Sequence, residues 1–393
     1  MNQIRIVRYL LWIKTWILYL VKLWFSLNLR KLTQLFGRRN NISEVVNRLA
    51  ADNQPRIAVI ALFPVNDSIY ELSVRNLILG LNKNDVHVVL LLNRNASESL
   101  NRLFVETNCT VIKRKNVGRD FGAYKDGVLW LEKEFGLDQI ERLLLINDTL
   151  LWLNDGKEMI QTTMKPDWSA LFLNLEIHTH AQSFFLNFSN NVVSDKKFLK
   201  FWRRYIPTEH RRLAILNGEI KLSETLIKQG YRCIATVKPS IFKSSLLGGQ
   251  LDQATISLLG SLTLSEMAGV TPPGVSPGRK EPAVEVQKYV GLEKLQFEIE
   301  IDKSYLTQMV VRMLSQYCNS HAPHRIGLQL YVLFGIPLKT DIYKCYTLSE
   351  IHRCINLKNP EYADGVIDFL SGKSQQFMEG SRANVKRRKL GEI

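Results

Sequence analysis

Short apolar runs recur through the first 240 residues, each closed by a polar turn and followed by a helix-spaced stretch. Arg56–Phe63 (RIAVIALF), Val86–Leu92 (VHVVLLL), Cys109–Lys113, Arg142–Ile146 and Ser169–Leu175 are the length of strands. Several are nearly continuous in Val, Ile and Leu, as strands buried on both faces are. Tyr70–Leu81, Ala96–Glu106 and a stretch from the Asn116 loop to about Phe135 carry helical spacing between them. Asp195–Tyr205 and Glu219–Gln229 add two helices, and Arg232–Val237 a closing strand. This cadence predicts an α/β domain with a doubly wound, Rossmann-like mixed sheet over residues 46–245. Gly, Ser and Pro collect in 246–282, which reads as a linker or long loop. Residues 283–375 read as mostly helical, and 376–393 as a basic tail without fixed structure.

In an open α/β sheet, ligands meet the carboxyl ends of the strands. Asn116-Val-Gly-Arg-Asp-Phe-Gly-Ala-Tyr lies at such an end and opens a helix. Asn116, Gly118, Arg119 and Asp120 are either a phosphate-binding loop, with Arg119 as a bidentate fork, or a plain turn whose Asp120 caps the helix. Asp148, after Leu-Leu-Leu-Ile-Asn147, is either a turn residue or a ligand for ribose or a metal ion. One aspartate suffices for magnesium when a diphosphate supplies further ligands. Glu219 is either a general base or a glutamate favoured by the first turn of a helix, with Glu224 as its rival. His178 and His180 alternate on an extended segment, so they face either a shared pocket or solvent. Gln182 and Ser183 are candidates for the same pocket, while Phe184 and Phe185 read as core. Trp202 could stack on sugar or end a helix. His321 and His324 have no evident partner.

The sequence resembles the rhamnan synthesis protein F family of glycosyltransferase-like proteins. The resemblance rests on Asn116 to Tyr124, on Asn147-Asp148-Thr149 and on Gln182-Ser183-Phe184-Phe185. A late segment, from His324 to Gly335-Ile336-Pro337-Leu338-Lys339, adds weaker support. More distantly, the layout is similar to inverting glycosyltransferases of GT-A type. That likeness implies a donor site built from Pro64, Asn66, Asn93, Asn116, Gly118, Arg119, Asp120, Asn147 and Thr149. It implies Mg2+ or Mn2+ on Asp148, and Glu219 as base on the acceptor hydroxyl. Two positions depart from the pattern: Asn147 and Thr149 stand where a second carboxylate could, and Asn93 where many relatives carry aspartate. The implied activity is sugar transfer from a nucleotide-diphosphate sugar, with rhamnosyl the group the family suggests, in bacterial surface polysaccharide synthesis. A non-catalytic carbohydrate- or nucleotide-sugar-binding assembly subunit is the alternative, favoured by the thinned metal motif.

The chain carries a formal charge of +15, which implies anionic partners. Nine Lys/Arg stand against Glu44 alone in the first 50 residues, and Arg382 and Lys386–Lys389 form a second cluster. No nucleic-acid-binding motif accompanies them, so no nucleic-acid partner is expected. Five scattered cysteines without CxxC spacing read as reduced thiols. Within residues 1–45, Arg8, Thr15 and Lys22 align on one line of a helix, with Trp12, Trp16, Trp24 and Phe25 mostly elsewhere. A basic stripe beside an aromatic one suits a helix lying on an anionic membrane surface. The competing spanning helix would bring Lys14 near the bilayer centre. The expectation is a peripheral protein on the cytoplasmic side of the bacterial inner membrane, acting on a lipid-linked glycan acceptor. Deleting residues 1–40 should therefore move the protein from the membrane to the soluble fraction, read by flotation; unchanged flotation would remove the anchor.

Overall fold

The computed structural model describes residues 41–46, 55–175, 178–240, 303–318 and 321–375, with scattered positions between 252 and 262. The expected membrane helix, most of the 246–302 stretch and the basic tail lie outside the described residues.

The centre is an eight-stranded mixed sheet. Strand β1 (Ile42–Val46) pairs antiparallel with β4 (Thr110–Arg114) at one edge. β2 (Arg56–Leu62), β3 (Val86–Leu92), β4 and β5 (Arg142–Asn147) run parallel in the order β4-β3-β2-β5. Short β6 (Leu150–Leu151) follows β5, and β7 (Trp168–Ala170), β8 (Leu173–Asn174) and β9 (His180–Ala181) come next. β10 (Phe185–Ser189) lies antiparallel between β5 and β7, and β11 (Cys233–Ala235) closes the far edge parallel to β7. β8 pairs with β9, and β12 (Leu338–Lys339) with β6.

Strand alternation sends Ala58, Ile60, Leu62, Leu144 and Ile146 to one face, where helices α1 (Ser68–Asn82) and α2 (Glu98–Glu106) cover them. Ile57, Val59, Ala61, Leu143 and Leu145 face the other side. There they meet α3 (Arg119–Glu134), α4 (Lys196–Arg204) and α5 (Lys221–Ile227). The sheet is thus covered on both faces, as the β/α cadence predicts. The C-terminal helices α6 (Lys303–Tyr317), α7 (Gly327–Phe334), α8 (Leu348–Lys358) and α9 (363–375) share the first of these cores with α1. Their apolar faces are therefore buried against the sheet's own covering helix, not against each other alone.

Three local expectations are corrected. Ser169–Leu175 is not one strand. The chain leaves the sheet after Ala170, where Leu171 N–H bonds Phe185 C=O and Phe172 C=O accepts from Gln182 N–H, and β8 then pairs outside the main sheet. The helix expected to open at Glu219 begins at Arg211 and passes through a π-helical turn, Ile215–Ile220, before α5. Strand β10 has no counterpart in the apolar-run reading, because Asn187 interrupts its FLNFS sequence. That amide is fully buried; its Nδ2 donates to Thr163 C=O at 3.0 Å, while its Oδ1 has no hydrogen-bond partner among the described residues.

Arg114, at the end of β4, organises the turn that precedes α3. Its side chain is 0% exposed and grips Asp126 on α3 through Nε (2.9 Å) and Nη2 (2.8 Å). Nη2 also donates to Val117 C=O at 2.8 Å, and Nη1 to Asn93 Oδ1. Gly118 takes the next step with φ of 83°, and a Cβ there would lie 2.3 Å from the Pro207 ring. Removing one partner of a buried ion pair leaves the other uncompensated. Arg114→Met is expected to destabilise the fold by about 3–5 kcal/mol, measured by urea denaturation.

Candidate active site

The carboxyl ends of β2 to β5 and the segment leading into β10 meet at one edge of the sheet. Asp148 lies just beyond β5. Its Oδ2 accepts the Phe63 N–H at 2.6 Å and the Tyr70 hydroxyl at 2.8 Å. Asp67 caps the start of α1 through the N–H groups of Ile69 and Tyr70, which presents the tyrosine to Asp148. Burial raises the Asp148 pKa, opposed by these two hydrogen bonds and by Lys373 and Lys339. The Tyr70 hydroxyl is pushed well above its usual value by burial and by Asp148.

Asp120 sits in the first turn of α3, facing the same place. Asn147, 0% exposed, bridges the two elements: its Nδ2 donates to Asp120 Oδ2 at 2.8 Å, and its Oδ1 accepts the Thr149 N–H and hydroxyl at 3.2 and 2.5 Å. The Asp120 carboxyl is pushed up to about 6, by burial first and then by Asp148, while Lys339 and Arg119 act against the rise. Asn147 thus brings a second carboxyl group, Asp120, 28 positions earlier in the chain, to the strand end that carries Asp148.

Glu219 enters from the π-helical turn. Its Oε1 accepts the Ser183 N–H at 3.2 Å, and Oε2 is 3.5 Å from His180 Nε2. Burial opposes charge on His180, but Glu219 and the His178 carbonyl, 2.6 Å from Nδ1, outweigh it and raise its pKa. Glu219 is therefore not a first-turn glutamate; π-helical turns are frequent at functional sites because they redirect a side chain out of helical register. Gly218 before it packs on Phe121, whose ring a Cβ would meet at 2.8 Å. The rival, Glu224, pairs with Lys221 on the surface at 3.3 Å.

The other candidates fall into separate places. Pro64 and Asn66 line a cavity of about 390 Å³ with Val65 and residues 94–98, beyond the ends of β2 and β3. Asn93 is structural in its contacts: Nδ2 donates to Leu62 C=O at 3.0 Å and Oδ1 receives Arg114. Asn116 and Arg119 are exposed, and Arg119 holds φ of 54°, a strained conformation for a non-glycine residue. His178 is exposed whereas His180 is buried, so the two rings do not face one pocket. Gln182 and Ser183 are buried, and the Gln182 side-chain oxygen has no hydrogen-bond partner among the described residues. Phe185 is core, as expected; Phe184 is half-buried. Trp202 is 0% exposed within an aromatic cluster with Phe121, Phe198, Phe201 and Tyr205, which removes it as a sugar platform. His324 does have a partner, Asp341 Oδ1 at 2.9 Å.

Sequence reading missed Tyr70, Tyr124, Glu209 and Lys339. The Tyr124 hydroxyl donates to Ser183 C=O at 2.8 Å, and Glu209 Oε1 accepts the Gly118 N–H at 2.5 Å. Tyr124 closes the Asn116 motif and Lys339 closes the late segment, so both stood within noted sequence. Glu209 carried no signal. Among the described residues no group of three or more His, Cys, Asp and Glu forms a metal cluster, and none of the five cysteines is in a disulfide. No helix among the described residues is long and apolar enough to cross a membrane.

A strand-end aspartate, a first-turn aspartate and a π-turn glutamate thus gather around the N-terminus of α3. Residues 88–250 match the model of the family described as rhamnan synthesis protein F. The motifs at 116–124, 147–149 and 182–185 all fall inside that match. The chain is 33% identical over 152 residues to the protein y4gN of Sinorhizobium fredii, covering 37% of this chain and 39% of that one. It is 28% identical over 174 residues to the virulence protein VirA of Vibrio anguillarum, covering 42% and 55%. It thus spans well under two thirds of the length of either relative. Among solved structures, a mannosyltransferase from Pyrobaculum calidifontis in complex with GDP-Man and Mn2+ overlaps 82% of this chain and 87% of its own. The identity is 11% and the TM-score 0.27, too loose an overlap to carry a functional argument.

With its pKa near 6, Asp120 keeps a proton in the folded chain between about pH 4 and 6, where the unfolded chain has released it. Its contribution to stability is present below that window and lost as pH rises through it. Asp120→Asn should therefore gain stability relative to the wild type at pH 7.5 and lose that advantage at pH 4, in paired urea titrations.

Proposed function

We propose that this protein is a glycosyltransferase that moves a sugar from a nucleotide-diphosphate donor to a hydroxyl of a glycan acceptor. The observation that carries the reading is the convergence of Asp148, Asp120 and Glu219 at the carboxyl edge of the sheet, all within the family match. In this reading the donor lies across the N-terminus of α3, its nucleoside toward the cavity at Pro64 and Asn66 and its sugar toward Glu219.

Transfer would be a single displacement with inversion. The acceptor oxygen forms a bond to the anomeric carbon as the bond from that carbon to the diphosphate oxygen breaks. The electron pair leaves with the diphosphate, and the hydroxyl proton passes to Glu219. The Ser183 N–H and His180 keep Glu219 aimed before transfer. The free oxygens of Asp120 and Asp148, neither of which accepts a hydrogen bond among the described residues, would hold a divalent ion such as Mg2+ or Mn2+. Bound there, the ion would supply positive charge to the departing diphosphate. The residues fit an ion that draws its remaining ligands from the donor and water, because two carboxylates do not make a complete cage.

The family match favours a rhamnosyl donor and a role in surface polysaccharide synthesis. A lipid-linked acceptor on the cytoplasmic face of the inner membrane accords with the basic amphipathic sequence in residues 1–45. A second reading, a binding subunit without turnover, is favoured by the lack of a third acidic or imidazole ligand among the described residues.

Calorimetry with a panel of nucleotide-diphosphate sugars, with and without Mg2+, tests both readings alongside a nucleotide-release assay. Asp148→Ala should abolish donor binding. Glu219→Gln should bind donor but turn over at least about 100-fold more slowly. Wild-type rates in both variants would discard the assignments, and binding without any turnover by the wild type would select the second reading.

A further inference from the structure

The C-terminal region does more than cover the sheet. β12 pairs with β6 so that Lys339 lies opposite Leu150, and the Thr340 N–H donates to Thr149 C=O at 3.0 Å. This places Lys339 beside the strand-end motif that contains Asp148. The residue is 7% exposed. Its ammonium lies 4.1 Å from the centre of the Phe184 ring, and among the described residues no acceptor takes a hydrogen bond from it.

An ammonium carries three N–H donors, and burying them unpaired is unfavourable. A ring face offsets part of that cost but accepts none of the three protons in a strong bond. Asp120, Asp148 and Asp341 attract the charge, but none of the three accepts a hydrogen bond from it. Asp341 holds His324 and Lys344, each at 2.9 Å. Asp148 holds Phe63 and Tyr70, and Asp120 holds Asn147. The buried cation is therefore supplied with field but not with a partner. A neutral hydroxyl would satisfy its geometry but not its charge. An anion would satisfy both.

We propose that Lys339, carried by the C-terminal region, is a direct ligand of the donor's diphosphate. The inference rests on the nucleotide-sugar reading given above and adds a residue that lies outside the family match. Arg119, exposed at the N-terminus of α3, acts electrostatically on Asp120. Arg211 and Lys373 act electrostatically on the same cluster, Arg211 on Lys339 and Lys373 on Asp148. Four cations thus offset the site's carboxylates and make room for a further negative group. Of these four, Lys339 is the one fixed in place by strand pairing, so its charge is already positioned before the ligand arrives.

The test uses the full chain and the nucleoside diphosphates UDP, GDP and dTDP, each beside its parent nucleoside, in calorimetry with and without Mg2+. Lys339→Met should weaken diphosphate affinity by about 10- to 100-fold, the worth of a hydrogen bond to a charged group, and leave nucleoside affinity unchanged. Lys339→Arg should recover most of the loss. A Lys339→Met protein that melts like the wild type and binds the diphosphate within twofold overturns the proposal. Should that variant fail to fold, a crystal structure of the wild type with the tightest diphosphate decides. Nζ at about 2.7–2.9 Å from a phosphate oxygen is the expected result, and a phosphate out of reach of Lys339 overturns it. If the wild type binds none of the three diphosphates, the nucleotide-sugar reading itself fails, whatever Lys339 does.

Discussion

A fully buried amide, Asn147, ties the end of β5 to the start of α3 by donating to Asp120 and accepting from Thr149. That bridge fixes the end of the strand against the first turn of the helix, with apolar packing behind it. An amide suits the position better than a carboxylate: it donates to one neighbour and accepts from another, and adds no third negative charge. The departure from an Asp-rich motif at 147 is therefore consistent with a site that draws its second acid from a different element.

The charge balance at this edge follows from the same arrangement. Two carboxyl groups shielded from water have a raised proton affinity, and several polar groups around them reduce that penalty. The Phe63 N–H and the Tyr70 hydroxyl point at Asp148, and Lys339 and Lys373 add positive charge from the C-terminal region. Glu219 reaches the same edge with its own partners, Ser183 and His180. Acid groups with different surroundings can take different tasks, and the proposed reading gives charge and position to Asp120 and Asp148 and proton transfer to Glu219.

Behind the polar layer, the rigid parts are ordinary core. Arg114 clamps the loop before α3 from inside the protein, and the rings of Phe121, Trp202 and Tyr205 fill the space beneath it. The loop consequently keeps Arg119 in a left-handed conformation that an isolated peptide would leave, since local strain persists only where surrounding packing over-determines it.

Much of this was legible along the chain. Runs such as VHVVLLL and RIAVIALF can hardly be anything but buried strands, and their spacing announces the helices between them. Gly118 and Asp148 stood out because their neighbours change abruptly in polarity. β10 did not, because period and apolarity fail when an asparagine takes a core position. The π-turn at Glu219 was equally hidden, as a helix with one extra residue per turn leaves the composition unchanged. Residue types and local periodicity, which act over a few neighbours, determined the layered α/β architecture and the loop at 116–124. Only the tertiary structure decided that Asp120 would complete Asp148, that Glu219 and not Glu224 would turn inward, and that Lys339 would arrive from nearly 200 residues away. Those partnerships depend on strand pairing and burial between distant segments, and no short-range pattern encodes a long-range contact.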